Sequence, residues 1–302
     1  MKQFLLFCLL FWQGVQAQVF IEQGRFGQPG SLPGQFNKPA ALAISAEKIL
    51  FVVDTDNHRL QLFNLEGRFL RTIGGFGFGD EEFDRPMDIW TRTVINLYIA
   101  DYNNQRIVRY NRNFNFISVL TSDESQPREF QFEEVLSCAL NSQQDLFLLD
   151  RGMNKVIKFD RNGVPQRAFG YYESGQGELE EPQQLEIQNN TYVLVSDLSR
   201  VSLMAFDFFG NFIREIKTPE MKGPAGLTVD NQNRIFIADR VANKLFMVSD
   251  DLREVRDIPL RLTQKPVSLR DVAVWLEPGK NEPPLVFLID DNQIVFGKLM
   301  NE

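Results

Sequence analysis

Along this chain, short runs of consecutive apolar residues end repeatedly in aspartate. Leu50-Phe51-Val52-Val53 stops at Asp54, and Leu97-Tyr98-Ile99-Ala100 stops at Asp101. The pattern returns at Asp150, Asp197, Asp239 and Asp290, with spacings of 47, 49, 47, 42 and 51 residues. Runs of this length, apolar on both faces, suit a strand packed between neighbours on either side. Ahead of each run lies a segment of small and apolar residues, opened by proline at 39–44, 86–89, 182–187 and 224–229. Behind it come a third segment, such as 59–63 or 106–110, then a turn and a fourth segment such as 68–73. The turns are Glu66-Gly67, Asn162-Gly163 and Phe209-Gly210-Asn211. Gly and Asn there supply the positive φ of tight hairpins. Past the N-terminus no stretch keeps a helical period, which excludes α/β repeats.

A period of this size built only of strand signals predicts propeller blades. Six runs predict an all-β fold, a six-bladed β-propeller of four-stranded antiparallel blades. The last unit ends at Leu299-Met300, after its third strand, so its fourth is expected from residues 19–23. The segment that follows supports this. Phe26-Gly27 leading to Pro39 matches Phe76-Gly77 leading to Pro86 and Phe169-Gly170 leading to Pro182, both of which follow fourth strands. Such a closure removes the open edges that would otherwise pair with other chains. One unit reads Leu-Tyr-Ile-Ala-Asp101-Tyr-Asn-Asn104-Gln-Arg106-Ile, followed by a hairpin turn and Phe. This resembles the NHL repeat, and the resemblance covers nearly all of the chain after residue 17. It is good at Asp150, Asn154 and Lys155 and at Asp239, Asn243 and Lys244; the fourth unit departs, with Ser202 in the cation's place, and the sixth loop is shorter. The resemblance implies a six-bladed propeller that most often serves as a binding platform, although some relatives are enzymes.

The first residues do not belong to that pattern. Lys2, an apolar run from Phe4 to Trp12 and Val15-Gln16-Ala17 read as a secretory signal peptide spanning 1–17, leaving 18–302 as one propeller domain. The run is too short to cross a bilayer, which takes about 20 apolar residues. Cleavage would leave 31 basic against 40 acidic residues and Cys138 as the one cysteine, so no intramolecular disulfide is expected. The expected location is secreted or periplasmic, without membrane insertion, as a monomer. A net charge of −8 over the whole chain gives no claim on phosphate backbones, so nucleic acid is not an expected partner.

The candidate chemistry is sparse. One His in 302 residues excludes sites built on a His pair. Asp54, Asp101, Asp150, Asp197, Asp239 and Asp290 could ring a cation, but an Asp at every strand end is expected to cap the following turn through backbone N–H groups. Gly74–Gly79 resembles a phosphate loop but leads into Asp80-Glu81-Glu82 rather than a helix. Calcium is conceivable at those acids and at Glu178, Glu180 and Glu181; the spacing matches no EF-hand. Asn189-Asn190-Thr191 is a glycosylation sequon, relevant in a eukaryote. Cys138 is expected to be packing.

Loops after the six runs share one rim with the segments leading into the innermost strands, and loops on a rigid frame carry recognition. The rim candidates are His58, Tyr102, Asn104, Arg151, Met153, Arg200 and Arg240, joined from the lead-in segments by Lys38, Asp84, Arg85, Glu133, Glu134, Glu180, Glu181, Lys222 and Lys265. The expected function is a non-enzymatic binding platform for a protein, peptide or glycan, with no catalytic residue, metal or cofactor assigned. Two alternatives stand beside it. One is a metal-dependent lactonase-like hydrolase using Asp88, Gln183, Gln184, Glu186 and Asp271 of the innermost strands; the other is a structural part of an exported assembly.

Overall fold

A computed structural model describes residues 18–92, 95–172 and 175–301. The signal peptide expected at 1–17 lies outside the described residues. The rest is a six-bladed β-propeller. Five sheets each run in chain order, as antiparallel meanders of four strands. The first blade comprises Ala41–Ile44, Ile49–Asp54, Arg59–Asn64 and Phe69–Gly74, and the second Pro86–Trp90, Asn96–Asp101, Arg106–Asn111 and Phe116–Thr121. Two 3-10 turns, Thr55–Asn57 and Arg128–Phe130, are the helical elements among the described residues.

The sixth blade joins the two ends of the described chain. Leu269–Trp275, Leu285–Asp290 and Gln293–Asn301 are completed by Gln18–Phe26, antiparallel in register from Gln18 opposite Asn301 to Phe26 opposite Ile294. This strand is longer than residues 19–23. A short parallel strand, Leu260–Arg261, adds to its outer edge at Phe20. Two residues carry no hydrophobic pattern, which is why the sequence did not reveal it. Val19 and Phe20 are buried, and Gly297 allows the strand in: a Cβ there would lie 2.1 Å from the carbonyl oxygen of Ile21.

The second strands are buried on both sides because each faces a neighbouring blade on either side, as at Leu146–Asp150 and Ile235–Asp239. Phenylalanines fill the wedges between blades. Phe26, Phe36, Phe63 and Phe296 meet where the first and sixth blades join, with Phe26 and Phe63 ring centroids 4.8 Å apart. The innermost strands crowd the axis. At Gly226 a Cβ would sit 2.3 Å from the Cα of Asp271 in the next blade, so the position admits no side chain. Five of the six innermost strands begin with a β-bulge, as between Pro86 and Asp88 or Pro182 and Gln184. Bulges re-aim side chains, and these sit at the positions that meet around the axis.

Candidate functional site: the rim and the axial channel

Each of the six aspartates ties the segment leading into its blade to the end of its second strand. The Asn37 N–H donates to Asp54 Oδ1 at 2.7 Å and the Asp84 N–H to Asp101 Oδ1 at 2.8 Å. Asp150 receives Glu133 and Glu134, Asp197 receives Glu180 and Glu181, Asp239 receives Lys222 and Gly223, and Asp290 receives Val267 and Ser268. Several also cap the turn behind them, as Asp239 does for Val241 and Ala242. Every carboxylate is thus occupied by backbone donors.

The cation five residues on varies by blade. Arg59 and Arg106 pair with Asp54 and Asp101 through Nε, at 2.7 and 2.8 Å, and donate to three carbonyls each in the lead-in loop. Lys155 reaches the Arg128 carbonyl, and Lys244 pairs with Asp257 instead. In the sixth blade, whose loop is short, Arg25 of the closing strand reaches Asp290 at 3.3 Å and also pairs with Glu22.

The rim candidates prove to be dispersed. His58 holds a left-handed φ of 53°; its Nδ1 accepts from the Arg85 N–H at 3.1 Å, and its ring stacks edgewise on Phe76. It fastens the first blade to the second. Asn104 donates to Asp101 and the Gly77 carbonyl, holding its own loop. The Tyr102 hydroxyl donates to Glu134 at 2.6 Å; burial and then that carboxylate push its pKa up to about 12. Arg200 is paired with Glu180 at 2.7 Å and lies 3.8 Å from Glu215. Met153 approaches Lys155, and Arg151 is exposed. Of the seven, Arg240 lies at the axial mouth, with Nη1 donating to Gln183 at 3.3 Å.

That mouth is a cavity of about 450 Å³, walled by Lys38, Arg85, Met87, Gln183, Arg240 and Arg270. Four of these are cations from four different blades. Asp56 neighbours Lys38 at 2.8 Å and Arg85 at 3.5 Å, and Asp291 neighbours Arg270 at 3.2 Å. Arg270 was not among the sequence candidates; it is the second residue of the last innermost strand, one before Asp271.

Below the mouth a polar belt stitches the innermost strands together. Asp88 accepts from the Ser137 hydroxyl and from Gln184 Nε2 at 3.3 Å; Gln184 Oε1 accepts from the Leu227 N–H at 2.6 Å. Asp271 Oδ2 accepts from the Leu42 N–H at 2.6 Å, while its Oδ1 is buried without a partner. Burial raises the Asp88 pKa to about 6 and that of Glu186 to about 7, and lifts Asp271 well above the usual carboxylate range. Cys138, buried beside them, has its thiol pKa pushed up by burial and then by Asp88 and Glu186, the opposite of what a nucleophile needs. A lactonase-like centre would need these acids to converge on one cation. Asp88 is committed to Ser137 and Gln184, and Glu186 pairs with Arg92 at 3.1 Å; no group of three or more His, Cys, Asp or Glu among the described residues is placed to hold a metal.

Comparison with known proteins agrees with the architecture. A family model described as a 6-bladed beta-propeller, DUF5128, matches residues 36–135. The protein brain tumor of Drosophila melanogaster is 27% identical over 159 residues, which is 52% of this chain and 15% of that protein. The E3 ubiquitin-protein ligase NHLRC1 of Rattus norvegicus is 30% identical over 128 residues, 41% of this chain and 32% of that protein. The chain therefore spans less than a third of the length of these NHL-type relatives. Among solved structures, a gluconolactonase from Xanthomonas campestris aligns with a TM-score of 0.63 at 13% identity, covering 88% of this chain and 87% of that one. Virginiamycin B lyase from Staphylococcus aureus aligns at 0.58 and 12% identity, over 87% and 81%. At such identities the likeness shows the fold alone.

Proposed function

We propose that this chain is an exported NHL-type propeller acting as a non-enzymatic binding platform, which presents its loop rim to a protein or peptide. The observation that carries this reading is the axial mouth, where Lys38, Arg85, Arg240 and Arg270 from four blades surround one cavity on a rigid frame. Arg and exposed aromatic side chains dominate interface energies, and Phe76 is 72% exposed on the same rim beside His58. Relatives named as ubiquitin-protein ligases work on proteins by that name, which supports a protein over a glycan.

The opposite face supports recognition less well. Its hairpins at Gly67, Gly163 and Gly210 all hold positive φ, so turn geometry dictates their residues. The test is affinity capture of a partner from the native host with the full mature chain, followed by titration of variants. Arg240→Ala and Tyr102→Ala are expected to weaken the captured partner at least about tenfold, or 1.4 kcal/mol. Unchanged affinity in both, with loss on substitution at Asn162 or Phe209, would move the interface to the other face.

A further inference from the structure

The charge around the axial mouth is uneven, and that unevenness narrows what the mouth can hold. Its four cations lie on one continuous arc of the ring: Arg240 in the fifth blade, Arg270 in the sixth, Lys38 in the first and Arg85 in the second. The lead-in position that carries Lys38 and Arg85 carries Glu134 in the third blade and Glu181 in the fourth. Within the arc, cations outnumber acids. Asp56 is shared by Lys38 and Arg85, and Asp291 stands beside Arg270. Arg240 has the neutral Gln183 as its acceptor and no ion pair among the described residues. On the floor Asp88, held by Ser137, Gln184 and the Ile89 N–H, is a like charge to any anion and keeps it at the mouth.

Two of these cations are held in an unfavourable backbone. Among the described residues, Lys38 and Arg85 are the two that take a positive φ, 49° and 53°, directly ahead of a proline. Each is fixed there by a side chain of the preceding blade: Asn292 accepts the Lys38 N–H at 2.8 Å, and His58 accepts the Arg85 N–H at 3.1 Å. Backbone kept out of its preferred regions by dedicated contacts is concentrated where side chains are presented to a ligand. The heads of Lys38 and Arg85 are exposed, so their pairs with Asp56 are weak and both can engage a second carboxylate. Arginine adds a planar fork that meets a carboxylate with two parallel hydrogen bonds. A nucleic acid fits poorly, because phosphates continuing past the arc would run onto Glu134 and Glu181. Resting on the rim reading for the partner's being a protein, we infer that the arc seats an acidic segment of that partner, one or two Asp or Glu side chains held by Arg240 and Arg270 with Lys38 and Arg85 alongside.

The test titrates the full mature chain, at about 50 mM salt, with four probes: a capped Gly-Ser-Glu-Glu-Ser-Gly peptide, its Gln-Gln counterpart, inorganic phosphate and an oligothymidine. Binding is read by calorimetry and by the arginine Nε–H signals in NMR. The Glu-Glu peptide is expected to bind with a Kd of about 1 mM or tighter, at least about tenfold more tightly than the Gln-Gln peptide, and to shift the Arg240 signal. Arg240→Gln and Arg270→Gln are each expected to weaken it at least about fivefold at an unchanged melting temperature. Arg161→Gln, in a hairpin of the opposite face, leaves it unchanged. The inference is overturned if the two peptides bind alike, if phosphate or the oligothymidine binds more tightly than the Glu-Glu peptide, or if both arginine variants fold and bind like the parent chain. A captured partner that depends on Arg240 while the two peptides bind alike overturns this inference and leaves the rim reading standing. A partner that depends on Asn162 or Phe209 instead overturns the rim reading, whatever the peptides do.

Discussion

At the residue scale, the most telling groups are polar side chains in places where burial is expensive. Asp88 is one. Its folded carboxyl has a pKa of about 6 against 3.8 ordinarily, so the folded state holds the proton more tightly than the unfolded chain does. Its contribution is therefore most favourable below about pH 4, declines as pH rises to about 6, and stays lost above that. In Asp88→Asn the amide oxygen keeps the bond from Gln184, and the amide N–H donates to Ser137 once that hydroxyl turns to the Leu185 carbonyl; the variant is expected to stabilise the protein by roughly 2–3 kcal/mol at pH 8 with no gain at pH 4. Thermal melts at the two pH values check this, and an equal shift at both would refute the assignment. The repeated aspartates behave differently, because each is matched by donors. Asp101→Ala strands the Asp84 N–H and leaves Arg106, itself 3% exposed, without its carboxylate. A loss of about 3–5 kcal/mol is expected by urea titration, against under about 1 for Asp257→Ala, whose pair with Lys244 is exposed. The sequence showed that these aspartates repeat. It pointed to the turn N–H groups two or three residues on, which Asp150, Asp197 and Asp239 receive, but not to those of the lead-in segments, which lie 16 or more residues back along the chain.

At the element scale, the closing strand is the piece on which the ring depends. Removing residues 18–26 strips a ladder from Gln293–Asn301, exposes the site of buried Phe20, and takes Arg25 from Asp290. Burying one Phe is worth about 1.5–3 kcal/mol, so the deletion is expected to cost several kcal/mol and to promote association through the freed edge. Calorimetry together with size-exclusion chromatography measures both, and an unchanged melting temperature would show that the ring does not need the strand. Gly297→Ala tests the same contact from the other side, and a loss of about 2 kcal/mol or more is expected because the carbonyl it meets belongs to backbone. The strand's existence was legible from a missing fourth segment in the last unit. Its full length and the added pair at Leu260–Arg261 were not, because neither carries an alternating pattern of its own.

At the scale of the whole molecule, the proposal of export predicts that mass spectrometry of secreted protein finds a mature N-terminus at Gln18. That residue is already in the ladder, opposite Asn301, so cleavage there leaves the closure intact. The sequence by itself determined the number of blades, their order and the means of closure, because each blade is a local meander whose turns and hydrophobic runs lie within about 50 consecutive residues. It also marked the rim, since loops between repeated strands are adjacent in every blade. Only the tertiary structure decided what gathers at the axis. Lys38, Arg85, Arg240 and Arg270 share a cavity, and Asp88, Ser137 and Gln184 share hydrogen bonds, across sequence separations of 30 to 232 residues that no local pattern encodes. Closing the ring brings each innermost strand face to face with strands one, two or three blades away, and that geometry exists only once all six blades are in place.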